Sequence, residues 1–305
     1  MANDRNVLDD DYSSDEFIVR KKRAPETKTG VTVQSVLKEA AAALETLRSK
    51  KPLVQCMTGA AAGGYLANAL QALGASPVLV EDLSEASPFA GVADGLLVNT
   101  GMVTKMQMEA MRAAVSHANM SGRPWLLDPV AVGVLPLRTF LAKELMRRFP
   151  AAIRGNASEI SFLAGSEIAG RGVEATIPSD DVAPSAIRLA GVTHAAVVVT
   201  GATDYVAFEG APMVSISNGS PMMARVSGLG GVHGGVCAAF LGALGGKARW
   251  ESALAATLVL SIAGEMAAAK SAGPGSFRVA LLDALYAVKP EDISKRGKIK
   301  LVAQA

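Results

Sequence analysis

Short β-rich stretches alternate with helical ones along most of this chain, and several of the β-rich stretches are apolar at every position. Leu96 to Val98, Trp125 to Leu127 and Val197 to Val199 contain no polar residue. A strand with one wet face alternates apolar and polar; a strand covered by helices on both faces does not. Repeated with helices between, this pattern predicts an α/β fold of three layers, α/β/α, with a mostly parallel central sheet. Strands are expected from Leu53 to Thr58, Pro77 to Glu81, Gly95 to Asn99, Pro124 to Asp128, Ala151 to Gly155 and Ala195 to Thr200. Val33, Val36, Leu37, Ala40, Ala41, Leu44 and Leu47 recur at helical spacing and predict a first helix. Thr104 with Gln107 opens a helix toward Met120 as a capping box, and Gly74 stops the helix before the second strand. Tyr205 to Phe208 and Met213 to Ser217 predict a hairpin and hence a mixed edge to the sheet, after which, from Gly231 onward, the pattern is mostly helical.

Half of the 305 residues are apolar and 19% are charged, ample material for a large core. A formal charge of +2 is far from the basic excess of a nucleic-acid-binding surface. Cys56 and Cys237 stand in apolar runs without a CxxC partner, which argues against a disulfide framework or a structural zinc site and suits a reducing compartment. No signal-peptide pattern opens the chain, and the stretch that comes closest to a transmembrane span, Leu254 to Ile262, is interrupted by Gly264 and Glu265. A cytoplasmic protein with no membrane partner is expected. Residues 1–30, where Asp9, Asp10, Asp11, Asp15 and Glu16 precede Arg20, Lys21, Lys22 and Arg23, read as a charged, solvated tail. Residues 31–288 read as one domain and 289–305 as a C-terminal tail.

In open α/β sheets, ligands sit outside the carboxyl ends of the strands. Polar residues collect there: Thr58 and Gly59, Glu81 and Asp82, Asn99, Asp128, Asn156 with Glu159, and Thr200 with Gly201. Ser227-Gly228-Leu229-Gly230-Gly231-Val232-His233-Gly234-Gly235 then runs from a loop into a helix. Unpaired amides at such a helix start bind a phosphate or stabilise its charge in transfer. The segment is neither a P-loop nor a GxGxxG fingerprint, and close helix packing accounts for its glycines equally well. Asn156 and Glu159 have the spacing of a capping box, and Arg154 beside them can face a phosphate. Magnesium keeps most of its waters, so Asp128 and Glu159 suffice to hold it. His233 is two residues past Gly231, about 200° around a helix, and points away from any acceptor there.

Val226-Ser227-Gly228-Leu229-Gly230, Ile153-Arg154-Gly155-Asn156-Ala157-Ser158-Glu159-Ile160, Asp128-Pro129-Val130-Ala131-Val132-Gly133, Val199-Thr200-Gly201 and Gly273-Pro274-Gly275-Ser276-Phe277-Arg278 occur in this order. With these motifs the chain resembles the hydroxyethylthiazole kinase family over residues 32–288. The resemblance implies a ribokinase-like fold, usually a homotrimer with active sites at subunit interfaces. It implies transfer of the ATP γ-phosphoryl group, with Mg2+, to the hydroxyl of 4-methyl-5-(2-hydroxyethyl)thiazole in thiamine salvage. By that likeness Arg154 and Thr200 contact ATP, Asp128 and Glu159 serve the metal and the phosphates, Gly228, Gly230 and Gly231 form the catalytic loop, and Gly59, Leu79 and Gly228 face the substrate. Three departures stand out. Gly231 occupies the family's cysteine position beside the acceptor hydroxyl, Gly59 an asparagine position, and Leu79 that of a thiazole-contacting methionine. They imply a slow kinase or an altered acceptor. A nucleotide-binding relative without turnover and an ATP-dependent hydro-lyase of the same fold are the alternatives.

Overall fold

The computed structural model describes residues 28–165 and 178–302. Its strands β1 (Leu53–Met57), β2 (Ser76–Leu79), β3 (Gly95–Asn99), β4 (Trp125–Asp128), β5 (Ala152–Asn156), β6 (Ala196–Thr200), β7 (Asp204–Ala207), β8 (Met213–Ile216) and β9 (Ile299–Val302) join in one sheet of order β2-β1-β3-β4-β5-β6-β7-β8-β9. β1 to β6 are parallel; β7, β8 and β9 run antiparallel to their neighbours. The predicted strands and the predicted hairpin are all present, with ends shifted by one or two residues.

Side chains of successive strand residues point to opposite faces, and here both faces are apolar because both are covered. Leu97, Leu126 and Val198 enter a core with α1 (Val33–Lys50), α2 (Ala60–Leu73), α8 (Leu229–Leu244), α9 (Arg249–Ala268), α10 (Pro274–Ala287) and α11 (Pro290–Arg296). Leu96, Val98, Trp125, Leu127, Val197 and Val199 enter a second core with α3 (Leu83–Val92), α4 (Lys105–Met120), α5 (Pro136–Met146), α6 (Ala157–Leu163) and α7 (Ala183–Thr193). The predicted signals operate. The Thr104 hydroxyl accepts from the Gln107 amide at 3.2 Å while the Gln107 side chain accepts from the Thr104 amide at 2.9 Å, and Gly74 ends α2 at φ +111°. By length and composition α9 is apolar enough to cross a membrane, but Leu254, Leu258, Val259 and Ile262 are buried in the first core, so it is built as a core helix.

The two expected tails differ from their expectation where they are described. Residues 289–302, the described part of the expected C-terminal tail, do not trail away, because α11 packs Ile293 against the first core and β9 pairs with β8 from Met213↔Val302 to Ile216↔Ile299. The expected N-terminal tail lies outside the described residues as far as residue 27. At Lys28 the chain is docked: its amide donates to the Gly210 carbonyl at 2.7 Å, and its ammonium pairs with Glu251 over the Trp250 ring.

From β1 the chain moves outward to β2, then back past β1 to β3, so the direction of winding reverses between β1 and β3. That is the topological switch point, where a crevice opens at the carboxyl ends of the strands. Thr58 and Gly59 leave β1 there, and Asn99 ends β3.

Candidate active site

Four strand ends bring a charged cluster together. Asp128, the last residue of β4, is fully buried. Its Oδ2 accepts from Asn99 Nδ2 at 2.6 Å, and its Oδ1 lies 3.5 Å from Arg154 Nη1 with no hydrogen bond. Burial raises the Asp128 pKa, while Arg154 and Asn99 oppose that shift. Arg154, on β5, also donates through Nη2 to Thr200 Oγ1 at 3.0 Å, at the end of β6, and its buried Nε has no partner among the described residues. The guanidinium is thereby held by two neighbouring strands and keeps donors to spare.

Glu159 is a clasp. Its Oε2 accepts from the Asn156 amide at 2.8 Å and its Oε1 from the Ala131 amide at 2.9 Å, while the Asn156 side chain accepts from the Glu159 amide at 2.9 Å. The capping-box reading of this run is realised, and the same carboxylate ties down the loop after Asp128, where Ala131 sits in the left-handed region at φ +62°. Burial, with the Asp128 charge nearby, pushes the Glu159 pKa up to about 6.

α8 begins over this cluster. Gly228 is its N-cap at φ +83°, a conformation glycine adopts without strain, and has no side chain to satisfy the following amides. The Val232 amide bonds to the Gly228 carbonyl at 3.1 Å, whereas the amides of Gly230 and Gly231 belong to the first turn, which no intrahelical carbonyl serves. The glycines of this run separate by function. A Cβ at Gly230 would stand 2.8 Å from Arg154 Nη1, so glycine lets the guanidinium approach the helix. A Cβ at Gly234 would press on Leu97 at 3.0 Å and Asp128 Oδ2 at 3.2 Å, which is packing. At Gly231, itself buried, a Cβ would meet only Asn99 Nδ2 at 3.7 Å, and neither packing nor dihedral angle requires glycine.

The residues expected to face the substrate, Gly59, Leu79 and Gly228, lie around the start of α2. A Cβ on Gly228 would be 3.2 Å from Ala62, and one on Gly63 would be 3.2 Å from Leu79 Cδ1. Leu79, at the end of the edge strand β2, is 47% exposed and so has an unfilled side. A Cβ on Gly59 would strike Met102 Cβ at 2.5 Å; any side chain at 59 therefore requires a different residue or position at 102. Met102 was not among the residues the sequence singled out.

Other expected positions resolve differently. Asp82 is an exposed cap that accepts from the Ser84 amide at 2.8 Å. His233 faces the core, where Nε2 meets Thr257 Oγ1 at 3.0 Å, and burial lowers its pKa well below the usual value, so it stays neutral. Asp204, which the sequence reading passed over, accepts from the Gly201 amide at 3.0 Å and from Ser261 Oγ at 3.3 Å. It thereby fixes the turn after Thr200. Burial pushes its carboxyl up to about 6 against the pull of Arg154. Its one sequence signal is its place four residues after the strand-end threonine.

The chain matches the model of the hydroxyethylthiazole kinase family over residues 44–291. It is 47% identical over 243 residues to a hydroxyethylthiazole kinase of Tolumonas auensis, covering 80% of this chain and 91% of that one. It is 49% identical over 240 residues to one of Klebsiella pneumoniae, covering 79% and 92%. The solved hydroxyethylthiazole kinase structure from Pyrococcus horikoshii superposes with a TM-score of 0.79 at 30% identity, over 87% of this chain and all of that one. A ribokinase-like superfamily protein of Enterococcus faecalis shares the fold with a TM-score of 0.56 at 14% identity, over 83% of this chain and 94% of that one. With a ribokinase-like fold and a family match that spans both the glycine loop and the Arg154 cluster, the chain belongs to the hydroxyethylthiazole kinase family.

Proposed function

We propose that this chain transfers the γ-phosphoryl group of ATP to the hydroxyl of 4-methyl-5-(2-hydroxyethyl)thiazole, the activity for which its relatives are named. One observation carries the reading: the open amides of α8 at Gly230 and Gly231 and the guanidinium of Arg154 converge on one spot at the sheet rim, beside Asp128. A helix N-terminus with an arginine under it is built for a polyanion. Phosphoryl transfer passes through a loose transition state with charge on the equatorial oxygens, so stabilising that charge and aligning the two oxygens are the protein's main tasks.

The roles follow from the hydrogen bonds. Thr200 and Asp128 hold Arg154 from two sides so that it reaches the phosphates without reorganising. Glu159 fixes the loop after Asp128, and Asp204 fixes the turn after Thr200. The residues fit a magnesium ion: Asp128 Oδ1 is an uncommitted acceptor, and Glu159, with each oxygen engaged once, keeps lone pairs for metal-bound water. Held by Asp128 and Glu159, such an ion would supply positive charge against that of the phosphates.

Gly231 supplies no base. General-base assistance is worth roughly 100- to 10,000-fold, so the reading is of a slow kinase. Because a Cβ at 231 meets nothing closer than 3.7 Å, Gly231→Cys should fold normally and raise the rate of phosphorylation. MgATP with a panel of hydroxyalkyl heterocycles, read by product mass, tests donor and acceptor together; no phosphorylated product from any of them contradicts the reading.

A homotrimer belongs to the same proposal. Leu79, Leu83, Met102 and Met106 are exposed by 46 to 76% around the β2 edge, beside the acceptor side of the site, and a second copy would cover them. Sedimentation should then give three times 31.3 kDa. Cys56 and Cys237, buried and unpaired with thiols pushed up to about 12, are consistent with a cytoplasmic protein.

A further inference from the structure

Asn99 stands at the switch point with half of its donor capacity unused. Its orientation is fixed from both ends: Oδ1 accepts from the Gly101 amide at 2.9 Å, and Nδ2 donates to Asp128 Oδ2 at 2.6 Å. An amide nitrogen carries two hydrogens, and among the described residues the second has no hydrogen-bond partner. The residue is 5% exposed, so water does not freely satisfy it. Position 231 on α8, where a Cβ would stand 3.7 Å from that nitrogen, carries no side chain. A second buried polar group flanks the same crevice: Thr58 Oγ1, just after β1, likewise has no partner among the described residues. Unsatisfied buried donors are uncommon in folded proteins, and one at a strand end in a ligand crevice points to a ligand atom.

We propose that the free Nδ2 hydrogen of Asn99 donates to the hydroxyl oxygen of the acceptor alcohol, holding it between the sheet rim and the start of α8. This rests on the kinase reading and adds to it the residue that orients the attacking oxygen. The bond engages one lone pair of the oxygen and leaves the other for phosphorus. In a loose transition state the nucleophile contributes little bonding, so orienting it in this way costs little reactivity. It also accounts for how a chain without a side chain at 231 positions an alcohol there.

The test compares binding of 4-methyl-5-(2-hydroxyethyl)thiazole with that of 4-methyl-5-ethylthiazole, which lacks the hydroxyl, by calorimetry without nucleotide. The full chain should prefer the alcohol by roughly fivefold, the worth of one neutral hydrogen bond. Asn99→Ala should lose that preference while the affinity for the ethyl compound changes little. Because the readout is a ratio within one variant, any loosening of Asp128 cancels. Should Asn99→Ala melt without cooperativity, a crystal of the unaltered protein soaked with the alcohol serves instead, with its oxygen expected about 2.9 Å from Nδ2. An unchanged preference in Asn99→Ala, no preference in the unaltered protein, or an oxygen bound elsewhere overturns the proposal. Product formation with MgATP is scored separately. Product with an unchanged preference in Asn99→Ala refutes the Asn99 assignment alone, and no product with the preference lost refutes the kinase reading alone.

Discussion

At the level of single residues, the site is a set of charges whose burial is compensated unequally, and the inequality sets measurable properties. Arg154 is held by Thr200 and Asp128 and faces the open end of α8, so Arg154→Gln should lower kcat/KM by roughly 100-fold or more. Melting should stay cooperative, because the glutamine amide can still donate to the Thr200 hydroxyl. Asp204 makes a prediction about pH. Its carboxyl is harder to ionise in the folded chain, with a pKa of about 6 against an ordinary 3.8. Between those values the folded state keeps a proton that the unfolded state has lost, so stability falls as pH rises through this window and the penalty is complete above about 6. A shift of this size is worth on the order of 3 kcal/mol. Asp204→Asn can accept from the Gly201 amide through Oδ1 and donate through Nδ2 to Ser261 Oγ, without the charge. Its melting temperature should match that of the unaltered protein near pH 4 and exceed it at pH 7.5. Of these residues Asp128 and Thr200 were legible because they end strands, Glu159 because it stands at capping-box spacing from Asn156, and Arg154 because it stands beside that box. Asp204 begins a strand, where an acidic residue reads as part of a turn, and Met102 matters only through its contact with Gly59, which no local pattern encodes.

At the level of elements, the account turns on how closely α8 approaches its neighbours. Two substitutions separate chemistry from packing. In Gly230→Ala the new methyl meets the tip of the flexible Arg154 side chain, which can move away. Stability should be nearly unchanged while turnover drops at least tenfold, because the guanidinium leaves its place. In Gly95→Ala the methyl would drive into the Ala238 carbonyl of α8, a backbone atom that cannot step aside. That variant should lose about 1–3 kcal/mol or more in denaturant unfolding, as overpacked cores do. The glycine run read from sequence as either a phosphate loop or a packing stripe divides residue by residue: Gly234 is required by packing, whereas Gly230 and Gly231 carry the proposed phosphate loop. Periodicity does not resolve that division, since it depends on whether Arg154, Asp128 or nothing lies opposite each Cα.

At the level of the whole molecule, the three-layer architecture followed from strands such as Val197 to Val199, whose unbroken apolar run has one structural explanation. The C-terminal strand escaped notice for a complementary reason. Four residues with Lys300 inside and Lys298 before them resemble a solvated tail, and the partner strand β8 lies some eighty residues earlier. Removing residues 289–305 should therefore strip a strand and the Ile293 contact from the core and lower the melting temperature by several degrees, whereas loss of an unattached tail would not. The central claim is that the first-turn amides of α8, with Arg154 beneath them, receive the terminal phosphates of a nucleotide. A crystal structure of the full chain with magnesium and a non-hydrolysable ATP analogue measures this most directly. The account predicts a γ-phosphate within hydrogen-bonding distance of the Gly230 and Gly231 amides and of the Arg154 guanidinium; a triphosphate bound away from α8, with Arg154 still closed on Asp128 and Thr200 alone, would contradict it.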